Sequence, residues 1–234
     1  MEEARRQILL FVPSANEMRP WLVWQLADSG FPTGGFAHSF GLEAAWQQGE
    51  VDAATLAQFV ADTLVQTGHG AIPFVTAAHA RPDEVGDIDA AYDAFLRSVV
   101  ANRASRVQGR AWLATIERVF PQEARAVCET ARTLPARHYA PLFGETMRVL
   151  EVELHTTQQL FLFGVCRGAL SAAVRLGIVG TTDAQRLLKE AAPDLERVAA
   201  RSAALTIDEA AQTAPLIDLW QSGHDRLYSR LFQS

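Results

Sequence analysis

One long apolar stretch limits what this chain can fold into. Residues 159–177 read QLFLFGVCRGALSAAVRLG and are apolar on nearly all sides, interrupted only by Arg167 and Arg175. Two charges are costly inside a membrane span, whereas a central helix of a helical bundle lets both arginines reach outward along its surface. We therefore expect this stretch to be the core helix of a soluble protein, with Gly177 just past its end.

The helical period recurs along most of the chain. Leu56, Phe59 and Val60, for example, fall on one helix face, and no stretch alternates apolar and polar residues for long enough to predict a strand. The pattern predicts an all-α fold, a single-domain helical bundle of roughly ten helices. No linker or repeat divides the chain, so we expect one domain over residues 21–234, preceded by a partly disordered N-terminal segment, residues 1–20.

Charge and composition exclude several classes of protein. The 234 residues include 27 acidic and 21 basic side chains, a formal net charge of −6, which disfavours a helical DNA-binding regulator or any other phosphate-neutralising surface for nucleic acid. No secretory signal and no charge-free apolar run is present, so we expect a cytoplasmic protein that binds neither nucleic acid nor membrane. Lys189 is the only lysine, and no P-loop motif surrounds it.

The histidines and cysteines form no local metal motif. Cys128 and Cys166 lie far apart without a neighbouring histidine, and the six histidines never occur at the spacing HxxxH. We therefore expect no metal site and no cofactor. Serine, histidine and aspartate are all present, but no local motif selects a catalytic triad. A helical enzyme whose site is assembled from dispersed serine, histidine and acidic residues stays open as an alternative.

The stretch FPTGGFAHSFGLE, residues 31–43, has the glycines of a functional turn but not the spacing of a phosphate loop or of a nucleophile elbow. Its proline and glycine pair predict a helix break, after which a helix restarts with Phe36, Phe40 and Glu43 on one face. Aromatic residues at such spacing usually pack a core. His38 alone is more typical of a structural hydrogen bond than of a ligand or base.

A basic stripe is predicted on one helix in the middle of the chain. Arg103, Arg106 and Arg110 fall at i, i+3 and i+7 in ANRASRVQGRAWL. The stripe is either a solvated face, which contributes little to stability, or a docking stripe for an acidic partner. Composition does not decide between the two.

The end of the sequence is unusually apolar. Residues 215–234, PLIDLWQSGHDRLYSRLFQS, keep large apolar side chains and arginines almost to the last residue, where chain ends are usually polar. Such a segment either docks back onto the bundle or becomes ordered on a partner, and both possibilities stay open.

Five of these pieces, taken in order, resemble the urease accessory protein F family. They are FPTGGFAHSFGLE, ASRVQGR, HYAPLFG, SAAVRLGIVGTTDAQ and HDRLYSRLFQS, and they span the chain from about residue 21 onward. The wording TGGFAH looks closer to the plant branch of the family. The resemblance implies an all-α, mostly homodimeric, non-enzymatic protein that acts with accessory protein D (H in some bacteria) and the GTPase accessory protein G on apo-urease.

In that family the complex handles nickel and the partner GTPase binds GTP, so the resemblance implies no cofactor for this chain itself. It further implies a role in nickel insertion and in regulating the GTPase. It makes the turn a candidate for contact with the GTPase or in the dimer, and the C-terminal segment a candidate for ordering on accessory protein D. Together with the basic stripe, the candidate partner-binding residues are Thr33, Gly34, Gly35, Phe36, His38, Ser39, Glu43, Arg103, Arg106, Arg110, His224, Asp225, Arg226, Tyr228, Arg230, Leu231 and Phe232.

Overall fold

The structure, a computed structural model, describes residues 15–234, with side chains from residue 20 onward. Twelve α-helices and no strand occur in this part of the chain, which confirms the predicted all-α fold. The chain divides after Phe31 into two compact units. The first contains helix α1 (Ala15–Ala27), and the second, Pro32–Ser234, contains the other eleven. Residues 1–14 lie outside the described residues, so the predicted disorder and boundary of the N-terminal segment stay predictions.

The larger unit consists of short and medium helices around one long one. They are α2 (Leu42–Gln47), α3 (Leu56–Gly70), α4 (Ile72–Ala80), α5 (Val85–Phe95), α6 (Val99–Val119), α7 (Arg125–Thr133), α8 (Tyr139–Val149), α9 (Leu154–Arg175), α10 (Thr181–Glu190), α11 (Ala192–Ser202) and α12 (Pro215–Gly223).

Helix α9 is the core helix that the sequence predicts. It contacts α3, α4, α8, α10 and α11, and Leu162, Cys166, Ala169 and Ala173 on it are fully buried. The helix ends at Arg175, and Gly177 follows in the left-handed conformation with φ of 73°, as a C-terminal glycine does. In the described part of the chain, no helix is both long and apolar enough to cross a membrane.

Helices α4 and α8 pack at unusually short range because a glycine lies between them. A Cβ atom built on Gly144 of α8 would lie 2.2 Å from the main-chain oxygen of Val75 on α4. Beside this contact, the indole nitrogen of Trp112 donates a hydrogen bond to Thr146 Oγ1 at 3.1 Å, and Trp112 is fully buried. The glycine of the HYAPLFG sequence is therefore a packing residue.

The predicted helix restart after the glycine pair is wrong. Gly35–Ala37 forms one 3-10 turn, His38 is extended, and α2 begins only at Leu42. Phe40 and Gly41 interrupt any helix because both have positive φ, 57° and 86°. Phe36 and Phe40 therefore do not share a helix face with Glu43. Residues 32–41, which we call the loop, take their shape from contacts with the end of the chain.

The close approach of α4 and α8 predicts that replacing Gly144 by alanine lowers the free energy of unfolding. We expect a loss of about 1–3 kcal/mol, since the added methyl group meets main-chain atoms that cannot move aside singly. Urea denaturation measures the change. Gly164→Ala in α9 is the matched control, because no atom lies within 4 Å of its added Cβ. There the better helix propensity of alanine should leave stability equal or raise it by about 0.5–1 kcal/mol. Equal effects of the two substitutions would contradict the packing role.

Candidate functional site

The last residues of the chain dock back onto the loop. We call residues 224–234 the tail. Gln233 N–H donates to Ala37 O at 2.8 Å, and Ser39 N–H and its hydroxyl donate to Ser234 O at 2.7 and 3.1 Å. Phe232 and Ser234 are 5% and 2% exposed. Of the two possibilities left open by the sequence, the structure therefore has the tail docked on its own chain.

The carboxylate of Glu43 holds the tail in place. Glu43 lies in the first turn of α2, is 1% exposed, and accepts the N–H groups of Leu231 at 2.6 Å and Phe232 at 3.2 Å. Leu231 donates to Oε1 and Phe232 to Oε2, and His224 Nε2 lies 3.0 Å from the same Oε2. A buried carboxylate is costly unless donors satisfy it, so these three contacts offset the cost of burying Glu43. Since the carboxylate only accepts, Nε2 carries the ring proton of His224.

His38 joins this cluster from the loop. Its Nδ1 lies 2.6 Å from the hydroxyl of Ser234, while its Nε2 and the Nδ1 of His224 are buried without a hydrogen-bond partner. Burial, and secondarily the neighbouring His224, lowers the pKa of His38 to about 4, so the ring is neutral near pH 7. Within residues 15–234, no three histidine, cysteine or acidic side chains are placed to hold a metal ion.

Arg175 connects the loop, the tail and the core helix. Its guanidinium lies 3.9 Å from the ring centre of Phe36 and 4.2 Å from that of Phe232, and it donates to Phe36 O at 2.5 Å. A guanidinium between two aromatic rings gains cation–π attraction on both faces. The sequence identified Arg175 only as a charge that leaves the core helix, because the pairing of its two rings depends on tail docking.

The glycine at the start of the loop is required by both its backbone and its surroundings. Gly34 has φ of 78°, and a Cβ on it would lie 2.8 Å from the Cβ of Ala111 on α6. Thr33 Oγ1 accepts the N–H of Gly35 at 3.3 Å, and Thr115 Oγ1 donates to Pro32 O at 2.9 Å. The loop is thus fixed against α6 on one side and the tail on the other.

Two of the three arginines of the basic stripe are paired within the chain. All three lie on α6, as predicted, but Arg103 donates two hydrogen bonds to Asp225 of the tail, at 3.0 and 2.7 Å. Arg106 donates to Asp93 of α5 at 3.0 Å. Arg110 is exposed and has no ion pair among the described residues. The stripe therefore presents less positive charge than the sequence implies.

The predicted site residues divide into an exposed, an intermediate and a buried group. Phe36, Arg103, Arg110, Asp225, Arg226, Tyr228, Arg230 and Leu231 are exposed; Thr33, Gly34, Gly35 and Arg106 are intermediate; His38, Ser39, Glu43, His224 and Phe232 are buried. The structure brings the turn and the tail together, and Arg103 of α6 binds the tail through Asp225. The exposed and intermediate residues can touch a partner directly in this arrangement, while the buried residues hold the loop and the tail in place.

A serine, a histidine and an aspartate do converge elsewhere, as the alternative enzyme hypothesis requires. His138 Nε2 is 3.0 Å from Asp93 Oδ1 and its Nδ1 is 3.0 Å from Ser105 Oγ. The carboxylate fixes the proton on Nε2, so Nδ1 accepts from the serine hydroxyl. Burial is the main cause that lowers the pKa of His138. The imidazole itself is fully buried, whereas Asp93 and Ser105 beside it are partly exposed. The three side chains join α5, α6 and the start of α8.

Glu145, in the same helix α8, is another buried group that the sequence did not single out. It is 4% exposed and its Oε2 has no hydrogen-bond partner, and burial raises its pKa to about 8. The described residues also form a shallow cavity of about 520 Å³ elsewhere, lined by Ala53, Ala54, Ala57, residues 177–180, Asp183, Arg186 and Leu187. Neither feature includes a residue of the loop or tail.

Comparisons with known proteins agree on one family. The UreF family model matches residues 51–192. Urease accessory protein F of Oryza sativa subsp. indica is 37% identical over 227 residues, covering 94% of this chain and 87% of the relative. The Arabidopsis thaliana protein of the same name is 36% identical over 240 residues, covering 100% and 99%. The urease accessory protein UreF of Trichodesmium erythraeum is 30% identical over 217 residues, covering 89% and 94%. The plant resemblance read from the turn is confirmed.

The buried, neutral His38 makes a contribution to stability that is lost in mild acid, whereas buried Glu145, whose pKa is raised to about 8, makes one of opposite sign, so the His38 contribution is read from the difference between wild type and a His38 variant. The unfolded chain binds a proton at the ordinary pKa of 6.5, but the folded chain binds it only near pH 4. This contribution to the free energy of unfolding is therefore complete above pH 6.5 and is lost as the pH falls from 6.5 toward 4, by up to about 3 kcal/mol. Denaturation curves over this range measure it.

His38→Asn, which retains a nitrogen near the position of Nδ1, should remove much of the pH dependence. His155→Gln is the matched control, because His155 is exposed, and it should leave the wild-type profile unchanged. If the profiles of all three proteins coincide, burial of His38 does not set the acid sensitivity.

Proposed function

The chain belongs to the urease accessory protein F (UreF) family, and from this premise we propose that it is a non-enzymatic scaffold in urease maturation. It joins accessory protein D (H in some bacteria) and the GTPase accessory protein G, and this complex inserts nickel into apo-urease. The protein acts in the cytoplasm, as a homodimer, and modulates the GTPase. Nickel is the cargo of the complex, and GTP is bound by the partner.

The observation that supports a scaffold is an exposed surface built on a buried polar cluster. Phe36, Tyr228 and Leu231 are 69%, 105% and 52% exposed, although Glu43, which binds the main chain of the tail, is 1% exposed. Aromatic and arginine side chains are enriched at the energetic centres of protein interfaces. Large apolar groups held outward on a fixed backbone are what a binding surface requires.

The fixed backbone also favours affinity. A flexible tail would lose conformational entropy when it bound, whereas a tail already docked on Glu43 has paid that cost during folding. We therefore place accessory protein D on the outward side of the docked tail, where Arg226, Tyr228 and Leu231 are exposed. The loop, with Phe36 stacked on Arg175, is the candidate contact for the GTPase.

We expect the basic stripe to affect the rate at which partners associate rather than the stability of the bound complex. Arg103 and Arg106 are compensated by Asp225 and Asp93, so Arg110 is the member of the stripe best placed to attract an acidic partner. Exposed charges of this kind mainly change the association rate and its dependence on salt.

The scaffold proposal predicts that Tyr228→Ala combined with Leu231→Ala weakens the complex with accessory proteins D and G by about tenfold or more, since truncating interface anchors typically costs at least ~1.4 kcal/mol. Folding should be unchanged, because the N–H of Leu231 still bonds to Glu43. Size-exclusion chromatography with light scattering measures complex formation.

Val119→Ala, at the end of α6, is the control, because Val119 is also apolar and 41% exposed but lies outside the loop and tail. Full complex formation by the folded double variant would remove the tail from the binding surface. Failure of the folded wild-type chain to bind either accessory protein would overturn the scaffold proposal as a whole.

A second prediction concerns Arg110. Arg110→Glu should lower the association rate with the GTPase-containing complex several-fold, with a smaller effect at high salt, and should leave the melting temperature unchanged. Association kinetics at two ionic strengths measure this. Arg201→Glu on α11 changes the net charge equally at another exposed arginine and serves as the control. Equal slowing by both substitutions would assign the effect to net charge and contradict a specific docking stripe.

A further inference from the structure

A serine, a histidine and an aspartate form a connected cluster where α5, α6 and the start of α8 meet, outside the loop and the tail. Ser105 Oγ lies 3.0 Å from His138 Nδ1, and Asp93 Oδ1 lies 3.0 Å from His138 Nε2. Since a carboxylate only accepts, Nε2 carries the ring proton and Nδ1 accepts the hydrogen bond of the serine hydroxyl. A base that touches a nucleophile and is oriented by an acid is the arrangement that activates a serine.

The imidazole of His138 is held in one orientation. Its main-chain N–H donates to Asp89 Oδ1 at 2.8 Å, and the ring of Tyr92 packs at 90° to the imidazole with centres 5.2 Å apart. Asp93 is fixed in turn, because its Oδ1 also accepts from Asn102 Nδ2 at 2.9 Å. His138 is fully buried, and burial lowers its pKa, so the ring is neutral near pH 7 and can take up a proton.

The serine lies at the edge of the cluster that faces solvent. Ser105 is only partly buried, and the side chains of Asp93 and Arg106 beside it are 38% and 37% exposed. The hydroxyl oxygen of Ser105 donates its proton toward His138 and accepts the N–H of Tyr139 at 3.3 Å. A hydroxyl oxygen has two lone pairs, so one of them has no partner among the described residues.

The same cluster contains a hydrogen-bond donor that lacks an acceptor. Arg106 Nη2 donates to Asp93 Oδ1 at 3.0 Å, but Arg106 Nε is buried and has no hydrogen-bond partner among the described residues. A buried N–H without an acceptor costs free energy, so a ligand oxygen that supplies one is favoured. The donor is also cationic, which suits the negative charge that develops on an acyl oxygen when its carbonyl is attacked.

We propose that Ser105 is a reactive serine that accepts an acyl group from a small activated ester. The hydroxyl proton passes to His138 Nδ1 as a bond forms between Ser105 Oγ and the acyl carbon. The bond from that carbon to the leaving oxygen then breaks, and the leaving alkoxide takes the proton back from His138. Asp93 stabilises the imidazolium that exists in between. One acyl group per chain suffices, so the inference needs no turnover and does not rest on the proposed role in urease maturation.

The first experiment incubates the full-length chain with p-nitrophenyl acetate, an activated acyl ester, and identifies the acetylated residues by peptide mass spectrometry. We expect at least about tenfold more acetyl on Ser105 than on Ser171, a partly buried serine of α9, since general-base assistance accelerates such a step by about 100-fold or more. Acetylation of amines gives little background, because Lys189 is the only lysine. A folded wild-type chain without acetyl on Ser105, or without an excess over Ser171, would rule out the proposal.

Two cysteine variants test whether His138 causes the reactivity. Ser105→Cys places a thiol against His138 Nδ1, whereas Ala104→Cys places one at the preceding residue of α6, which is also partly buried. An ordinary thiol, with a pKa of about 8.5, is mostly protonated near pH 7. We therefore expect Ser105→Cys to react with iodoacetamide at least about tenfold faster, because the imidazole takes the proton and leaves a thiolate. The native Cys128 and Cys166 are buried, and the wild-type chain measures their background. Equal rates for the two folded variants would contradict activation by His138 and overturn the proposal.

Discussion

The buried carboxylate of Glu43 is the constraint on which the loop and the tail both depend. An acceptor that is 1% exposed must be matched by donors, and its donors come from the tail: two main-chain N–H groups and the ring of His224. Once these are in place, the main chain of Ser234 meets the loop, and residues 37–39 pair with the tail instead of continuing as a helix. One acidic side chain thereby determines the conformation of two segments almost two hundred residues apart in sequence.

A second buried carboxylate in the bundle also accepts two consecutive main-chain N–H groups. Asp89 of α5 is fully buried and accepts the consecutive N–H groups of Arg137 and His138, at 3.0 and 2.8 Å, where the chain enters α8. In both places a carboxylate binds two neighbouring main-chain donors that have no helical partner. The Asp89 contact fixes the start of α8 and the orientation of His138, whereas the Glu43 contact fixes the tail. Buried carboxylates thus hold nonhelical chain against a helical framework.

The sequence predicted the framework well and the site only in part. The all-α class and the core helix follow from apolar periodicity, which is a local property, so α9 was found with its end near Gly177. The prediction of a helix in the loop was wrong because Phe36, Phe40 and Glu43 have helical spacing. The positive φ of Phe40 and Gly41 and the pairing with the tail prevent the helix from forming. The roles of Arg175 and Asp93 depend on partners far away in sequence, which no local pattern reveals. The motifs nevertheless identified both halves of the loop and tail contact, without indicating that they touch.

Arg175 has a consequence for how this surface can be studied or reused. It lies in the last turn of α9, the core helix, yet its guanidinium contacts one ring of the loop and one of the tail. Arg175 therefore connects the rings of Phe36 and Phe232 directly to the end of the core helix. Peptides copied from the loop and tail, or grafted onto another scaffold, would lack the guanidinium of Arg175, which contacts both rings. The surface can be transferred only along with the end of its central helix.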